Sequence, residues 1–358
     1  MTIGVFGPLF YGYTGSLAYG LEQLGHQVVC GCWSDAAAAE APNGKAAIIW
    51  FGIRGLFAKR RLLKANISKL RDTVVRFNRE LSPDLIIVIK PEYFDVNLFA
   101  ELRRANPHCK IGIWMMDSFR CIPGLTTELY QAVDHLFLFE PSEVEELKLS
   151  GLRRVSFVPL AFDPRFYHPA TETSEDLDLV FCGAFGAYPN RMELARQLAD
   201  YAFERDLRLE LTGTWWTLRR PERYLRFRQQ GPRLRRYAVN VNLTHTVLNA
   251  KYNHSRVSLN IHHPQSVDGL NMRTFEVTGA GGVLLTDRKR VLEELFTVDR
   301  DLMTYGCFEE LKDKTNFLLG NARARVDLRR NGRETAVRRH TFAHRGRAIC
   351  DVLAHACE

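Results

Sequence analysis

The sequence predicts an α/β protein of two doubly wound domains, each a parallel sheet flanked by helices, facing each other across a central cleft. Three observations predict it. At 358 residues the chain is long for one compact core. Short apolar runs of strand length alternate with amphipathic stretches of helix length through both halves. A proline-punctuated segment, Ser156–Pro169, interrupts that alternation near the middle.

The elements follow in order. Ile3–Gly7 is a first apolar strand, and Gly12-Tyr13-Thr14-Gly15 is a glycine-punctuated loop. A helix runs from Ser16 to Leu24 and stops at Gly25. His26–Gly31 reads as the second strand. After a soft Ala/Pro/Gly stretch, a long basic amphipathic helix is expected from about Gly55 to Glu80. Leu85–Ile89, Ile111–Met116 and His135–Phe139 supply further buried strands. Beyond the interruption, alternation restarts with Leu177–Cys182, a helix near Arg191–Glu204, and Leu207–Thr212. It continues through Ser258–Ile261 and Val283–Thr286 into a helical tail from about Arg333. The expected division is 1–165 for the first domain, 166–340 for the second, and 341–358 for a last helix that crosses back to the first. Such folds bind ligands at the carboxyl ends of their strands.

Bulk properties exclude several classes. With 46% hydrophobic and 25% charged residues the chain is neither disordered nor fibrous. No apolar run approaches the roughly 20 residues that span a bilayer. Met1–Phe6 has no basic residues ahead of its apolar stretch and reads as a strand, so a cytoplasmic protein is expected. Eight scattered cysteines, none in a C-x-x-C pair, read as buried reduced thiols; Cys30 and Cys32 share one side of a strand but have no further ligands for zinc. The charge of +8 is concentrated. Between Thr214 and Arg236 stand eight arginines (219, 220, 223, 226, 228, 233, 235, 236) against Glu222, which leaves the rest of the chain near neutral. Either an anionic partner meets the Arg219–Arg236 segment, or it is a solvated helix face.

The most informative stretch is Asp268-Gly269-Leu270-Asn271-Met272-Arg273-Thr274-Phe275-Glu276, followed by a small-residue corner, Gly279-Ala280-Gly281-Gly282, and the strand from Val283. Two acids bracket a glycine turn and a helix start. Free amides at Leu270 and Asn271, with Thr274 beside them, suit a phosphate, because N–H groups and helix dipole point at it together. Glu276, about a turn and a half inside, suits a pair of ribose hydroxyls, and Arg273 offers a positive fork to a diphosphate. The plainer alternative is a capped helix with incidental acids.

These residues resemble the GT-B glycosyltransferases of family 4, in particular the CgeB-like branch first named for spore maturation proteins. The family's signature is two glutamates separated by seven residues, and Asp268 and Glu276 stand at that spacing. The first acid here is aspartate, one methylene shorter. The resemblance implies a GT-B fold of two Rossmann-like domains, Glu276 on the donor ribose and Asp268 near the donor sugar. Phe181-Cys182-Gly183-Ala184-Phe185, running on to Tyr188-Pro189-Asn190-Arg191, is similar to the element that opens the family's second domain. It implies that the loop at Gly183 and Ala184 lines the diphosphate and that Arg191 neutralises it. Gly213, at the end of Leu211-Thr212-Gly213-Thr214-Trp215-Trp216, ends another strand near the base. The resemblance spreads over most of 180–345 and is faint before about 80.

In the first half, Ile111–Met116 ends in Asp117, as a similar aromatic-x-x-Asp stretch does in the CgeB-like proteins. An acid there orients or deprotonates an acceptor hydroxyl, or caps the next helix. Glu92 is a weaker candidate of the same kind. Gly12, Tyr13 and Gly15 form the loop that in GT-B enzymes approaches donor phosphate or acceptor. No complete G-x-G-x-x-G is present, which disfavours a nicotinamide enzyme. Adjacent His262 and His263 point to opposite sides of a strand and do not make a metal pair. The two D-x-D runs, Asp176–Asp178 and Asp299–Asp301, read as surface acids. The expected activity is therefore transfer of a sugar from a nucleoside-diphosphate donor to a hydroxyl acceptor, with retention and without metal or other cofactor. A glycan, a lipid-linked sugar, a small metabolite or a polyanion such as DNA remains open as acceptor, with the arginine segment resting on anionic lipid or on that polyanion. A non-catalytic nucleotide-binding or coat-scaffold protein of the same fold is the alternative.

Overall fold

The computed structural model describes residues 1–9, 12–33, 68, 70–121, 127–171, 174–185, 189–217 and 221–355. They fall into two compact units, Met1–Pro159 together with Phe342–Glu358, and Leu160–Thr341.

In the first unit the described strands are β1 (Thr2–Pro8), β2 (Gln27–Trp33), β3 (Leu85–Ile89), β4 (Lys110–Met115), β5 (His135–Leu138) and β6 (Val155–Phe157). They form one parallel sheet in the order β2-β1-β3-β4-β5-β6. The helices are α1 (Tyr13–Glu22), α2 (residues 70–81), α3 (Val96–Ala105), α4 (Thr127–Gln131) and α5 (Pro141–Leu149). The expected long basic helix is seen only over α2; its earlier part lies outside the described residues. One face of the sheet buries Phe6, Ile86, Val88, Ile111 and Ile113 against Leu70, Val74 and Phe77 of α2 and Phe99 and Leu102 of α3. Asp95 starts α3 by accepting from the Leu98 amide at 2.8 Å, the side-chain cap that a helix start requires.

In the second unit the strands are β7 (Leu177–Cys182), β8 (Leu209–Gly213), β9 (Ala238–Asn240), β10 (Ser255–Asn260), β11 (Leu284–Asp287) and β12 (Met303–Tyr305). All pair in parallel, in the order β12-β11-β10-β7-β8-β9. Its helices are α6 (Pro189–Glu204), α7 (Pro221–Arg228), α8 (Pro232–Tyr237), α9 (His245–Asn253), α10 (Met272–Ala280), α11 (Leu292–Leu295), α12 (Phe308–Gly320) and α13 (Ala322–Arg339). The chain winds outward from β7 to β9, then returns to β10 on the other side of β7. The order reverses there, so a crevice opens at the carboxyl ends of β7 and β10.

The last helix, α14 (Phe342–His355), belongs to the first unit. It lies on the sheet face opposite α2 and α3, with Leu353 against Gly112 of β4 and Gly346 against Leu17 and Leu21 of α1. A Cβ on Gly20 would stand 2.6 Å from the Ala343 amide nitrogen, so the two helices meet backbone to backbone. Phe342 packs its ring against Trp114 and Tyr13, at centroid separations of 6.0 and 6.4 Å.

Two readings are corrected. Cys109, Cys182 and Cys350 are buried, but Cys30, Cys32 and Cys307 are exposed. Cys30 and Cys32 sit on the edge strand with their sulfurs 3.9 Å apart. The D-x-D runs are not simple surface acids either. Asp178 is buried between Arg208 and Arg256, and Asp301 is buried with Oδ2 accepting from the Thr297 amide and the Thr335 hydroxyl. Both hold parts of the second unit together, and no group of three or more potential metal ligands occurs among the described residues. No helix among them is long and apolar enough to cross a membrane.

Candidate functional site

The crevice at the carboxyl ends of β7 and β10 gathers most of the second-unit candidates. β7 ends in Cys182, and two guanidinium groups approach the Gly183 that follows it. A Cβ there would lie 3.2 Å from Arg273 Nη2 and 3.7 Å from Arg191 Nη1. Arg191, in the first turn of α6, also donates to the Ala184 carbonyl at 3.4 Å. Gly213 closes the same corner from β8. It adopts φ +150°, and a Cβ would overlap the Gly183 carbonyl oxygen at 1.8 Å. Only glycine lets the ends of β7 and β8 approach this closely.

Arg273 stands in the first turn of α10, and its aim is fixed from below. Asn260, the fully buried last residue of β10, accepts from Arg273 Nη1 at 2.6 Å and from Asn271 Nδ2 at 3.0 Å through Oδ1. Its own Nδ2 donates to Asn271 Oδ1 at 3.2 Å, to Thr286 Oγ1 at 3.1 Å and to Thr274 Oγ1 at 3.4 Å. The Phe181 ring lies 5.6 Å from the guanidinium carbon. Among the described residues no carboxylate lies within ion-pair distance of Arg273, although its charge acts on Glu276 one turn further along. Asn271 is the N-cap of α10, yet its side chain serves Asn260 and makes no capping bond to the helix. The Thr274 amide donates to the Asn271 carbonyl at 3.2 Å, and the Met272 and Arg273 amides keep their donor capacity at the positive end of the helix dipole.

Glu276 lies one turn further along α10, 6% exposed. Burial pushes its carboxyl up to about 7, against the lowering effect of Arg273 and of a hydrogen bond from Tyr167. The Tyr167 hydroxyl also contacts His245 Nδ1 at 2.9 Å. A hydroxyl has one proton, so if Tyr167 donates to Glu276 it accepts from Nδ1–H, which sets the tautomer of His245. The imidazole is held by stacking on Phe166 at 4.3 Å and 5°.

Two further residues border the crevice. His262, just beyond β10, is buried, and its Nδ1 lies 2.6 Å from Asp287 Oδ1 at the end of β11. Burial lowers the imidazole pKa, so a neutral ring donating through Nδ1–H is the state this geometry favours. Asp268 sits in the loop before α10, paired to Arg290 at 3.2 Å.

Gly183, Ala184, Arg191, Gly213, Asn271 and Arg273 thus come together around one corner, with Thr274 beneath them and Glu276 one turn deeper. Leu270 is buried and contributes backbone only. Trp215, in the Leu211–Trp216 stretch expected near the base, is a core residue stacked on Phe185 at 4.1 Å with its Nε1 bonded to the Leu211 carbonyl. The remaining candidates belong to the first unit. Gly12 is the N-cap of α1 at φ +67°, and Tyr13 and Gly15 lie in the first turn of that helix. Asp117, at the end of β4, pairs with Lys90 Nζ at 2.6 Å, and Glu92 stands 3.6 Å from the same ammonium. Lys90 has φ +51°, an uncommon backbone for a lysine, fixed at the end of β3. Sequence reasoning did not find Asn260, Tyr167, His245 or the His262–Asp287 pair. None of them carries a signal in the sequence, since β10 already holds Ser255, Arg256 and Ser258 ahead of Asn260.

Comparison with known proteins agrees with this architecture. Residues 185–351 match the family model described as glycosyl transferase-like. Among curated proteins, none matches the sequence. Several solved structures share the fold at low identity. Sucrose-phosphate synthase from Thermosynechococcus elongatus superposes with a TM-score of 0.66 at 12% identity, over 99% of this chain and 98% of that one. Anabaena HepE in complex with UDP gives 0.63 at 12%, over 99% and 100%. A glycosyltransferase from Rickettsia africae gives 0.65 at 11%, over 100% and 98%. The chain therefore has the GT-B fold, with a Rossmann-like sheet in each unit.

Proposed function

We propose that the protein is a glycosyltransferase that takes a sugar from a nucleoside-diphosphate donor, with UDP-sugars the first to test because HepE is similar in fold and its structures hold UDP and UDP-glucose. One observation carries the reading. A guanidinium in no ion pair among the described residues, Arg273, is aimed across Gly183 at the uncapped start of α10, with a buried carboxylate, Glu276, one turn behind it. Diphosphate on the helix start and ribose hydroxyls on the carboxylate would satisfy both at once. Departure of the nucleoside diphosphate leaves negative charge on the β-phosphate. Arg273, Arg191 and the α10 amides are placed to stabilise it, which is the service a metal renders elsewhere. Retention at the anomeric carbon is what the resemblance to family 4, through the Asp268–Glu276 spacing, implies, and the CgeB-like branch is implied by the Phe181–Arg191 element and by the acid at Asp117. In this reading Asp268 attends the donor sugar, with Arg290 holding it, and Asp117 is the acceptor-side carboxylate, positioned by its ion pair with Lys90.

The test is equilibrium binding of UDP, GDP and dTDP and their sugars to wild type and Glu276→Ala. Losing two charge-assisted hydrogen bonds costs roughly 2 kcal/mol or more, so affinity falls about 30-fold. Loss of no more than twofold would remove the ribose assignment. Donor hydrolysis in the absence of acceptor then separates an enzyme from a binding scaffold.

A further inference from the structure

The arginine-rich segment of the second unit is arranged in a way that its composition did not show. Phe227 points into the unit, against Trp215 and Trp216 at 5.4 and 4.6 Å, and anchors α7. The rest of the helix is turned out, so Arg226 and Arg228 are exposed together with Leu225, at 63%, and Tyr224, at 42%. Leu234 and Tyr237 anchor α8 in the same way and leave Arg233 and Arg236 outside. Both of these arginines lie over the exposed ring of Phe203, at 4.6 and 5.8 Å. β9, the edge strand that follows, presents Val239 at 40% exposure.

The positive charge is almost uncompensated. Among the described residues, Asp200 is the one carboxylate paired with these arginines, through Arg233 at 3.1 Å. A solvated helix face has no need of an outward leucine between arginines. A nucleic-acid backbone would match the charge but gives an aliphatic side chain nothing to contact. An anionic bilayer satisfies both, since guanidinium groups bind lipid phosphates while apolar side chains enter the headgroup–acyl boundary.

We infer that α7, α8 and the β9 edge form a docking surface for an anionic lipid bilayer, with the arginines on lipid phosphates and Leu225 and Tyr224 inserted between headgroups. The inference does not depend on the donor site, because none of these residues belongs to it.

Sedimentation of the full chain with phosphatidylcholine vesicles, with and without phosphatidylglycerol, tests it. Binding is expected to the anionic vesicles only and to be released by high salt. Arg226→Glu with Arg228→Glu should weaken it at least roughly 30-fold, at about fivefold for each of the two positive charges lost before any repulsion from the new carboxylates. Leu225→Ser should weaken it severalfold at unchanged net charge, while Arg323→Glu, a reversal on exposed α13, leaves it unaltered. If the charge-reversed protein fails to fold by circular dichroism, the neutral pair Arg226→Gln and Arg228→Gln gives the same reading. Equal binding to both vesicle types would overturn the proposal. So would Leu225→Ser binding like wild type, or duplex DNA binding tightly at a salt concentration where vesicles do not.

Discussion

A carboxylate buried without an acidic or basic neighbour in salt-bridge contact behaves differently from one on the surface, and Glu276 makes that difference measurable. Its value of about 7 lies above the ordinary 4.5, so between those pH values the folded chain holds a proton that the unfolded chain has lost. Stability must therefore fall as pH rises through that window and level off above it, by up to about 3 kcal/mol. Urea midpoints at pH 4.5 and 8 check this, and Glu276→Gln should remove most of the dependence. Donor binding should run the other way. On the proposed assignment ribose hydroxyls donate to the ionised form, so affinity is expected to drop about tenfold per pH unit below 7. Tyr167→Phe deletes a bond that lowers the carboxyl, and should move that break to higher pH; a break that stays in place would detach Tyr167 from Glu276. None of this was legible from the residues in order. Tyr167 and Glu276 are far apart along the chain, and His262 and Asp287 belong to different strands. Such pairs exist only once the sheet order places them. The Asp268–Glu276 stretch was legible because a helix start is local, and its glycine, amides and arginine fall within nine residues.

Strands and helices show the same division between local and non-local information. The runs Leu85–Ile89 and Leu177–Cys182, the second apolar from Leu179 on, appear as β3 and β7 because continuous apolar residues suit a strand covered on both faces. β6, β9 and β12, three residues each, carry too short a pattern to stand out, and β6 lies partly within the segment read as an interruption. The expected helical tail is two helices, α13 and α14, separated at His340–Thr341, where His340 is buried against Phe296 and bonded to the Leu295 carbonyl at 2.8 Å. Glycines separate most sharply at this scale. Gly213→Ala forces a side chain into φ +150° and into the Gly183 carbonyl, and should destabilise by about 3 kcal/mol while displacing the Arg273 corner. Gly15→Ala, inside α1 with nothing within 4 Å of the new methyl, should stabilise by about 0.5–1 kcal/mol. Chemical denaturation of the two variants in parallel tests the opposed signs.

At the scale of the whole molecule, the two units differ in how the chain supplies them. The first is discontinuous: its sheet needs α14, whose Phe342, Ile349 and Leu353 are buried and whose Arg345 donates to the Pro159 carbonyl at 2.8 Å. The second is one uninterrupted stretch, Leu160–Thr341, with its own six-stranded sheet and a core of Phe181, Leu198, Trp215, Leu259 and Leu285. Every residue assigned to the donor, from Tyr167 to Arg290, lies inside that stretch. Residues 160–341 made alone should therefore fold cooperatively and bind a nucleoside diphosphate within about tenfold of the full chain, since the groups that contact it are all retained. On the proposed function they should transfer no sugar, because the carboxylate proposed for the acceptor, Asp117, is missing. Deleting residues 342–358 instead should expose the α1 and β4 faces that α14 covers and lower the melting temperature of the first unit, leaving the donor affinity in place. Isothermal titration of both proteins with UDP decides the matter. A folded 160–341 fragment that binds no nucleotide would show that the Arg273–Glu276 corner is insufficient, and the donor would have to be held by residues of the first unit.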